Sequence, residues 1–264
     1  MYRKVITGLI LVLTFVLPEL KAQKNKIWNG RKCAVVLTYD DALDVQLDLV
    51  IPALDSRNLK GTFYLPGQAQ TLYTRTDDWR KAAEEGHELG NHTLFHPCHG
   101  KSRKQNWVNP DFDLDNYTLN RITRELKVQN TLLKAIDGKT ERTFAYTCGD
   151  TTAGNEPFVD EVKNLFVGAR GTQRGLNYFQ TLDLYNVKVF SAKGKTGEEM
   201  KAFVKKVMKE KALAVFLFHG VGGAYLVTDL DAHNELLDFL QDNKDKIWTA
   251  PMVEVAGYIR SHRK

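Results

Sequence analysis

Seven short runs of apolar, β-branched or aromatic residues, at 33–38, 61–65, 88–91, 143–146, 165–169, 187–190 and 213–218, punctuate the chain. Each has the length of a buried strand. Between most of them lie helix-like stretches at 42–57, 78–85, 118–136, 157–164, 197–209 and 229–241. In the longest, Leu119, Ile122, Leu126, Leu132, Leu133 and Ile136 recur roughly at the helical period, while Arg121, Arg124, Glu125 and Lys134 fall elsewhere. That stripe reads as a packing face. Alternation of this kind builds a parallel sheet covered by helices, either open or closed into a barrel. No linker, repeat or low-complexity tract divides it, so one domain over residues 23–264 is expected.

A chain of 264 residues with 43% hydrophobic and 26% charged content can bury a real core, which excludes disordered, collagen-like and disulfide-scaffold classes. The net charge is +5, and Arg3, Lys4 and Lys21 against Glu19 put +2 of it in the first 22 residues. The remainder is spread too evenly to suggest a nucleic-acid partner. Residues 1–22 read as an export signal: a basic start, an apolar stretch over 5–17, and Ala22 at the cleavage point. The apolar stretch is shorter than the ~20 residues a spanning helix needs, and no later segment could cross a bilayer. A periplasmic or extracellular location is expected.

Reactive groups in such folds gather where parallel strands end. Val35-Val36-Leu37-Thr38-Tyr39 runs into Asp40 and Asp41; Glu88-Leu89-Gly90-Asn91 runs into His92 and His96; Ala214-Val215-Phe216-Leu217-Phe218 runs into His219; and Tyr146 runs into Thr147-Cys148-Gly149-Asp150. Adjacent carboxylates after a buried strand repel one another and resist desolvation unless a cation holds them. Asp41 could instead cap a helix starting at Ala42, which would explain one acid but not both. His92 and His96 stand four apart, so one helical turn would aim both imidazoles at the same point, and Pro97 keeps that turn brief. His87, His99, His233 and His262 read as structural. One carboxylate with two histidines leaves positions open for water and substrate, as in catalytic zinc sites; the same set also suits non-haem iron. The second aspartate favours hydrolysis, since it supplies a base beside the metal.

Thr38-Tyr39-Asp40-Asp41, then His92-Thr93-Leu94-Phe95-His96-Pro97, then Leu217-Phe218-His219, in this order and spacing, resemble the polysaccharide deacetylases of carbohydrate esterase family 4, the NodB-homology group. The resemblance covers nearly everything from Val35 to Pro251. It implies an α/β fold, a distorted (β/α)7 barrel. It also implies that Asp41, His92 and His96 hold a divalent metal ion, usually Zn2+, that Asp40 is the base acting on the attacking water, and that His219 protonates the leaving group. The loop at Tyr146, Thr147 and Cys148 would stabilise the oxyanion through a backbone N–H, and Leu217 would help form the acetyl pocket.

The family's third motif is typically Phe-Arg-Pro-Pro-Tyr-Gly, and here it reads Phe144-Ala145-Tyr146-Thr147-Cys148-Gly149, with Ala145 where the arginine would orient the base. The aspartate-tryptophan pair of the fourth motif is not visible between Phe166 and Phe190. Arg142 lies on the opposite side of its strand from Ala145, whereas Arg170 ends the next apolar strand on the mouth side and is expected to reach Asp40 or the acetyl product. Cys33 reads as a buried thiol; Cys98 and Cys148 lie in loops near one site and are compatible with a bridge or with free thiols. The expected function is removal of acetyl groups from a polysaccharide or oligosaccharide, first of all the N-acetyl groups of amino sugars. An O-acetyl esterase of the xylan type and a catalytically silent glycan-binding protein are the alternatives.

Overall fold

A computed structural model describes residues 27–263; the expected signal over 1–22 lies outside the described residues. In chain order the strands are β1 (Cys33–Asp40), β2 (Thr62–Leu65), β3 (Glu88–Asn91), β4 (Phe144–Ala145), a small ribbon of β5 (Thr152–Ala153) and β6 (Glu156–Pro157), then β7 (Ala169–Arg174), β8 (Val187–Ser191), β9 (Leu213–Phe218) and β10 (Ile247–Thr249). The helices are α1 (Ile51–Asp55), α2 (Gln70–Thr74), α3 (Thr76–Glu84), α4 (Leu119–Asp137), α5 (Val159–Leu165), α6 (Gly197–Glu210), α7 (Leu230–Asp242) and α8 (Met252–His262).

The sheet runs β10-β1-β2-β3-β4-β7-β8-β9, and β9 pairs back onto β1. Seven parallel strands therefore close into a barrel. β1 is its hub: one edge is paired with β9 from Ala34↔Leu213 to Tyr39↔Phe218, while the other is divided between β10 over Cys33–Val35 and β2 over Thr38–Asp40. The ladder is thinnest at Asn91↔Phe144, the one register pair between β3 and β4, which makes this a distorted (β/α)7 barrel.

All eight residues of β1 are buried, as expected for a strand covered on both faces. Cys33, Val35, Leu37 and Tyr39 face a cluster completed by α1, α3, α6 and α7. Ala34 and Val36 face a second cluster with Val187, Val189, Leu213, Val215 and the α8 residues Met252, Val255, Ala256 and Ile259. By the two-residue period of a strand, Thr38 and Asp40 continue this second face toward the mouth. Helix ends follow local chemistry: Thr196 and Glu199 form a reciprocal capping box on α6, Thr118 caps α4, and Gly138 ends α4 at φ 71°.

Three expectations shift. The strand expected at 165–169 begins at Ala169, because Leu165 still belongs to α5. The helix expected from Ala42 is replaced at its start by a turn, with Asp41 at φ 81° and Ala42 at φ 54°. β10 and α8, beyond the last expected helix, close the structure: β10 lies beside β1, and α8 packs into the second cluster. Among the described residues, no helix is long and apolar enough to cross a membrane.

Candidate active site

Successive residues of a strand point to opposite faces, so Asp40 and Asp41 would diverge if β1 ran on. The left-handed turn at Asp41 and Ala42 brings both carboxylates into the same space. Such a conformation persists outside glycine only where neighbours hold it. Here the Asp41 N–H donates to Tyr64 O at 3.0 Å. The Gln46 side chain donates to Asp40 O at 2.5 Å and accepts the Leu43 N–H at 3.3 Å. Asp41 is not a helix cap: its Oδ2 accepts a hydrogen bond from the Tyr225 hydroxyl at 2.7 Å.

His92 and His96 converge without a helical turn. The loop after β3 is bent by left-handed residues at Thr93 (φ 65°) and His96 (φ 50°), and pinned where Asn91 Oδ1 accepts Thr93 N–H and Thr93 Oγ1 accepts His96 N–H. The two rings lie 4.8 Å apart. His92 Nδ1–H donates to Ala145 O at 2.8 Å, which leaves the Nε2 lone pair facing the acids. Asp41 Oδ1 is 3.4 Å from His92 Nε2 and 3.3 Å from His96 Nε2.

This triad fits a metal ion. Asp41 Oδ1 is buried with no hydrogen-bond partner, a costly state unless something else satisfies it. Its spacing from the two nitrogens matches the ~3.3 Å edge of a tetrahedron with bonds of ~2.0–2.1 Å, the usual zinc lengths. Two neighbouring clusters fit less well. His96, Cys98 and Cys148 lie together, but the two sulfurs are bonded to each other, with Cα atoms 5.8 Å apart. His99, Asp113 and Asp115 hold one another and backbone groups: His99 meets Asp115 and Thr152 at 2.8 Å, and Asp113 accepts from Gly100 and Asp115 N–H.

Burial by itself would raise the Asp41 carboxyl, but the adjacent His92 imidazole, with the charge of His96 and His219 beyond it, holds it well below the usual carboxylate range. Burial first, then the charge of His92, pushes His96 down to about 4. His92 moves the other way: burial opposes its protonation, yet Asp40 and Asp41 raise it.

Asp40 has a different partner. Arg170 is fully buried, its Nη2 pairs with Asp40 Oδ1, and its Nε donates to Thr38 Oγ1 at 3.2 Å. The guanidinium also lies 4.8 Å over the Tyr64 ring. Asp40 Oδ2 is left 3.8 Å from His92 Nε2 and 4.0 Å from His219 Nε2. Arg142 is turned away from this centre toward Leu89 O and Asp137.

Above these groups lies a cleft of about 710 Å³, whose lining includes Leu217, Tyr146, Cys148, Trp107, Tyr225 and Leu226. Tyr146 is mostly core, packed between Phe144 and Phe158. Thr147 is buried, and its hydroxyl donates to Pro97 O, so it fastens the loop rather than offering a hydroxyl to the cleft. Cys148 (φ 56°) and Gly149 (φ 74°) turn the loop tightly, and a Cβ at Gly149 would stand 2.3 Å from Thr172 Oγ1. The structural histidines have other partners: His87 with Gly61 N–H and Asp55, His233 with Tyr39, and His262 with Tyr258 O.

Sequence reasoning passed over Gln46, Trp107 and Tyr225. For Tyr225 a signal existed: the glycines of Gly220-Val221-Gly222-Gly223, directly after His219, mark a tight loop at the mouth. Trp107, 66% exposed, stands in a polar stretch with no comparable flag.

The sequence profile of the polysaccharide deacetylase family matches residues 29–165, just over half of the chain. The chain belongs to that family. A peptidoglycan-N-acetylglucosamine deacetylase of Bacillus cereus is 33% identical over 79 residues, which are 30% of this chain and 28% of that relative's length. A solved structure of a probable polysaccharide deacetylase from Pseudomonas aeruginosa superposes with a TM-score of 0.62 at 10% identity, covering 89% of this chain and 93% of that one. A family 4 acetyl xylan esterase from Clostridium thermocellum, in complex with a cobalt ion, gives 0.53 at 19%, covering 84% and 89%. At these identities the structural likenesses concern the fold alone.

Proposed function

We propose that the protein is an exported, divalent-metal-dependent hydrolase that removes N-acetyl groups from amino sugars of a glycan. The observation that carries this reading is the buried, unpartnered Asp41 Oδ1 lying 3.3–3.4 Å from two imidazole nitrogens, with Asp40 Oδ2 3.8 Å from His92 Nε2 and His219 Nε2 3.7 Å from Asp41 Oδ2. The peptidoglycan-deacetylase relative supports the amide substrate. A disulfide between Cys98 and Cys148 suits an oxidising compartment, in keeping with a signal over residues 1–22 and a catalytic domain over 23–264.

Asp41, His92 and His96 would hold the cation, best matched by Zn2+, which when bound would act as a Lewis acid toward water and the acetyl carbonyl. Asp40, with Oδ1 fixed by Arg170, presents Oδ2 to take the proton of the attacking water. The Cys148 backbone N–H would donate to the developing oxyanion. Leu217, 6% exposed in the cleft wall, would receive the acetyl methyl. His219, with Nε2 3.7 Å from Asp41 Oδ2 and 4.0 Å from Asp40 Oδ2, would deliver a proton to the departing nitrogen. Trp107 and Tyr225 supply aromatic surface on which a sugar ring can rest.

An O-acetyl ester passes through the same oxyanion, and the fold neighbours include an acetyl xylan esterase. A silent glycan binder would have no use for the Arg170–Asp40 pair beside His219. The discriminating experiment measures acetate release from acetylated chitooligomers, peptidoglycan and acetylated xylan, with zinc-loaded and chelator-treated protein. Zinc-dependent release from the amides is expected; release from xylan alone would move the reading to the ester, and stoichiometric zinc binding with no release would mark a binder.

A further inference from the structure

We propose that Tyr225 is a positioning residue that fixes how Asp41 presents its carboxylate, so that one oxygen alone is offered to the cation. This rests on the metal reading above and adds a residue from outside the motifs. The Tyr225 hydroxyl donates to Asp41 Oδ2 at 2.7 Å, while Asp41 Oδ1 is buried, without a hydrogen-bond partner, and faced by His92 and His96. The two oxygens are thus sorted into one held by the protein and one left for the ion. The same Oδ2 stands 3.7 Å from His219 Nε2.

The loop is built to deliver this hydroxyl. Ala224 (φ 62°) and Leu226 (φ 49°), both left-handed, flank Tyr225, an arrangement that persists only when the surroundings enforce it. Gly220 N–H donates to Tyr225 O at 3.1 Å, Thr228 N–H to Gly220 O at 2.8 Å, and Thr228 Oγ1 to Ala192 O at 3.0 Å. A Cβ at Gly220 would sit 2.0 Å from Gly223 O, so the closed loop needs glycine there. Yet Tyr225 is 49% exposed, so the core has little hold on it, and its hydroxyl hydrogen bond to Asp41 anchors it at the site.

Tyr225→Phe keeps the ring and removes the donor. Zinc affinity, measured by competition with a chromophoric chelator, should fall by about 10–100-fold, the usual effect of losing a partner of a metal-binding carboxylate. The visible spectrum of the Co2+-substituted protein should shift toward higher coordination number as the freed oxygen joins the metal. Val227→Ala, in the same loop, should leave both unchanged. Wild-type affinity and an unaltered Co2+ spectrum in Tyr225→Phe would overturn the proposal, as would equal weakening in Val227→Ala. A wild-type protein that bound no zinc would instead overturn the metal reading on which it rests.

Discussion

Arg170 lies directly across the β4–β7 ladder from Ala145. The position where the family motif carries arginine is a small residue here, and the guanidinium comes from the adjoining strand, a spacing of ~4.8 Å. From there it reaches over Tyr64 to Asp40. The barrel thus keeps a positive partner beside the proposed base while changing the strand that supplies it.

Arg170→Ala should accordingly lower kcat at least tenfold with zinc stoichiometry unchanged. Because Asp40 would be left as an uncompensated buried charge, stability should also fall by about 3–5 kcal/mol. Ala145→Arg added to Arg170→Ala should restore part of the turnover. Steady-state kinetics, metal content by plasma emission and urea unfolding check the three parts. Near wild-type turnover in Arg170→Ala would remove Arg170 from the mechanism.

The Cys98–Cys148 bridge joins the loop carrying His96 to the loop proposed to hold the oxyanion, and it closes a span of 50 residues. Removing a cross-link of that length costs about 4 kcal/mol on the chain-entropy account. Cys98→Ser with Cys148→Ser should lower the unfolding free energy obtained from urea titration by that amount. Mass spectrometry of the protein after alkylation should show no modification at either cysteine without reductant. Two alkylated thiols in the unreduced protein would contradict the bridge.

The strand-ending motifs were legible because parallel barrels place chemistry at one mouth, and continuous apolar runs such as 33–38 and 213–218 carry their own signal. β4 was legible too, although only two residues keep ladder geometry. The boundary at Leu165 was not, since an apolar residue there serves a helix as readily as a strand. α8 carried the spacing Met252, Val255, Ala256 and Ile259, a helical pattern that the strand–helix alternation did not call for. Least visible was the left-handed backbone at Asp41, Thr93 and His96. Residue type does not announce φ at such positions, so a helical turn was expected where two local twists do the work. Tyr225 lies 184 residues from Asp41, and no local rule links them.

Two buried histidines set the acid side of stability. Burial pushes His233 down to about 3 and His87 down to about 4 from an ordinary value of 6.5. Both are therefore neutral in the fold at pH values where the unfolded chain binds a proton. Their contribution is complete above about pH 6.5 and is lost as pH falls toward the folded values, at about 1.4 kcal/mol per unit for each group. Between pH 7.5 and 5.5 the wild type should lose about 1.4 kcal/mol more than His233→Gln in urea unfolding. Parallel losses in the two proteins would show that His233 does not titrate in this way.

His219 Nε2 lies 4.0 Å from Asp40 Oδ2, and variants of the two residues should separate the two proposed proton transfers. Asp40→Asn keeps the shape but cannot accept a proton, so turnover should fall by about 10²-fold or more with zinc binding nearly intact. His219→Ala leaves the proposed base and the triad in place and removes the proposed acid. An amine leaves poorly without a proton, whereas an alcohol leaves more readily, so His219→Ala should depress amide turnover well beyond ester turnover. The measurement is kcat for an N-acetylated chitooligomer against an O-acetylated xylooligomer in both variants. Asp40→Asn should slow both substrates to a similar degree, because the attack on the carbonyl is common to them. If His219→Ala also slowed both equally, protonation of the leaving group would have to come from elsewhere in the cleft.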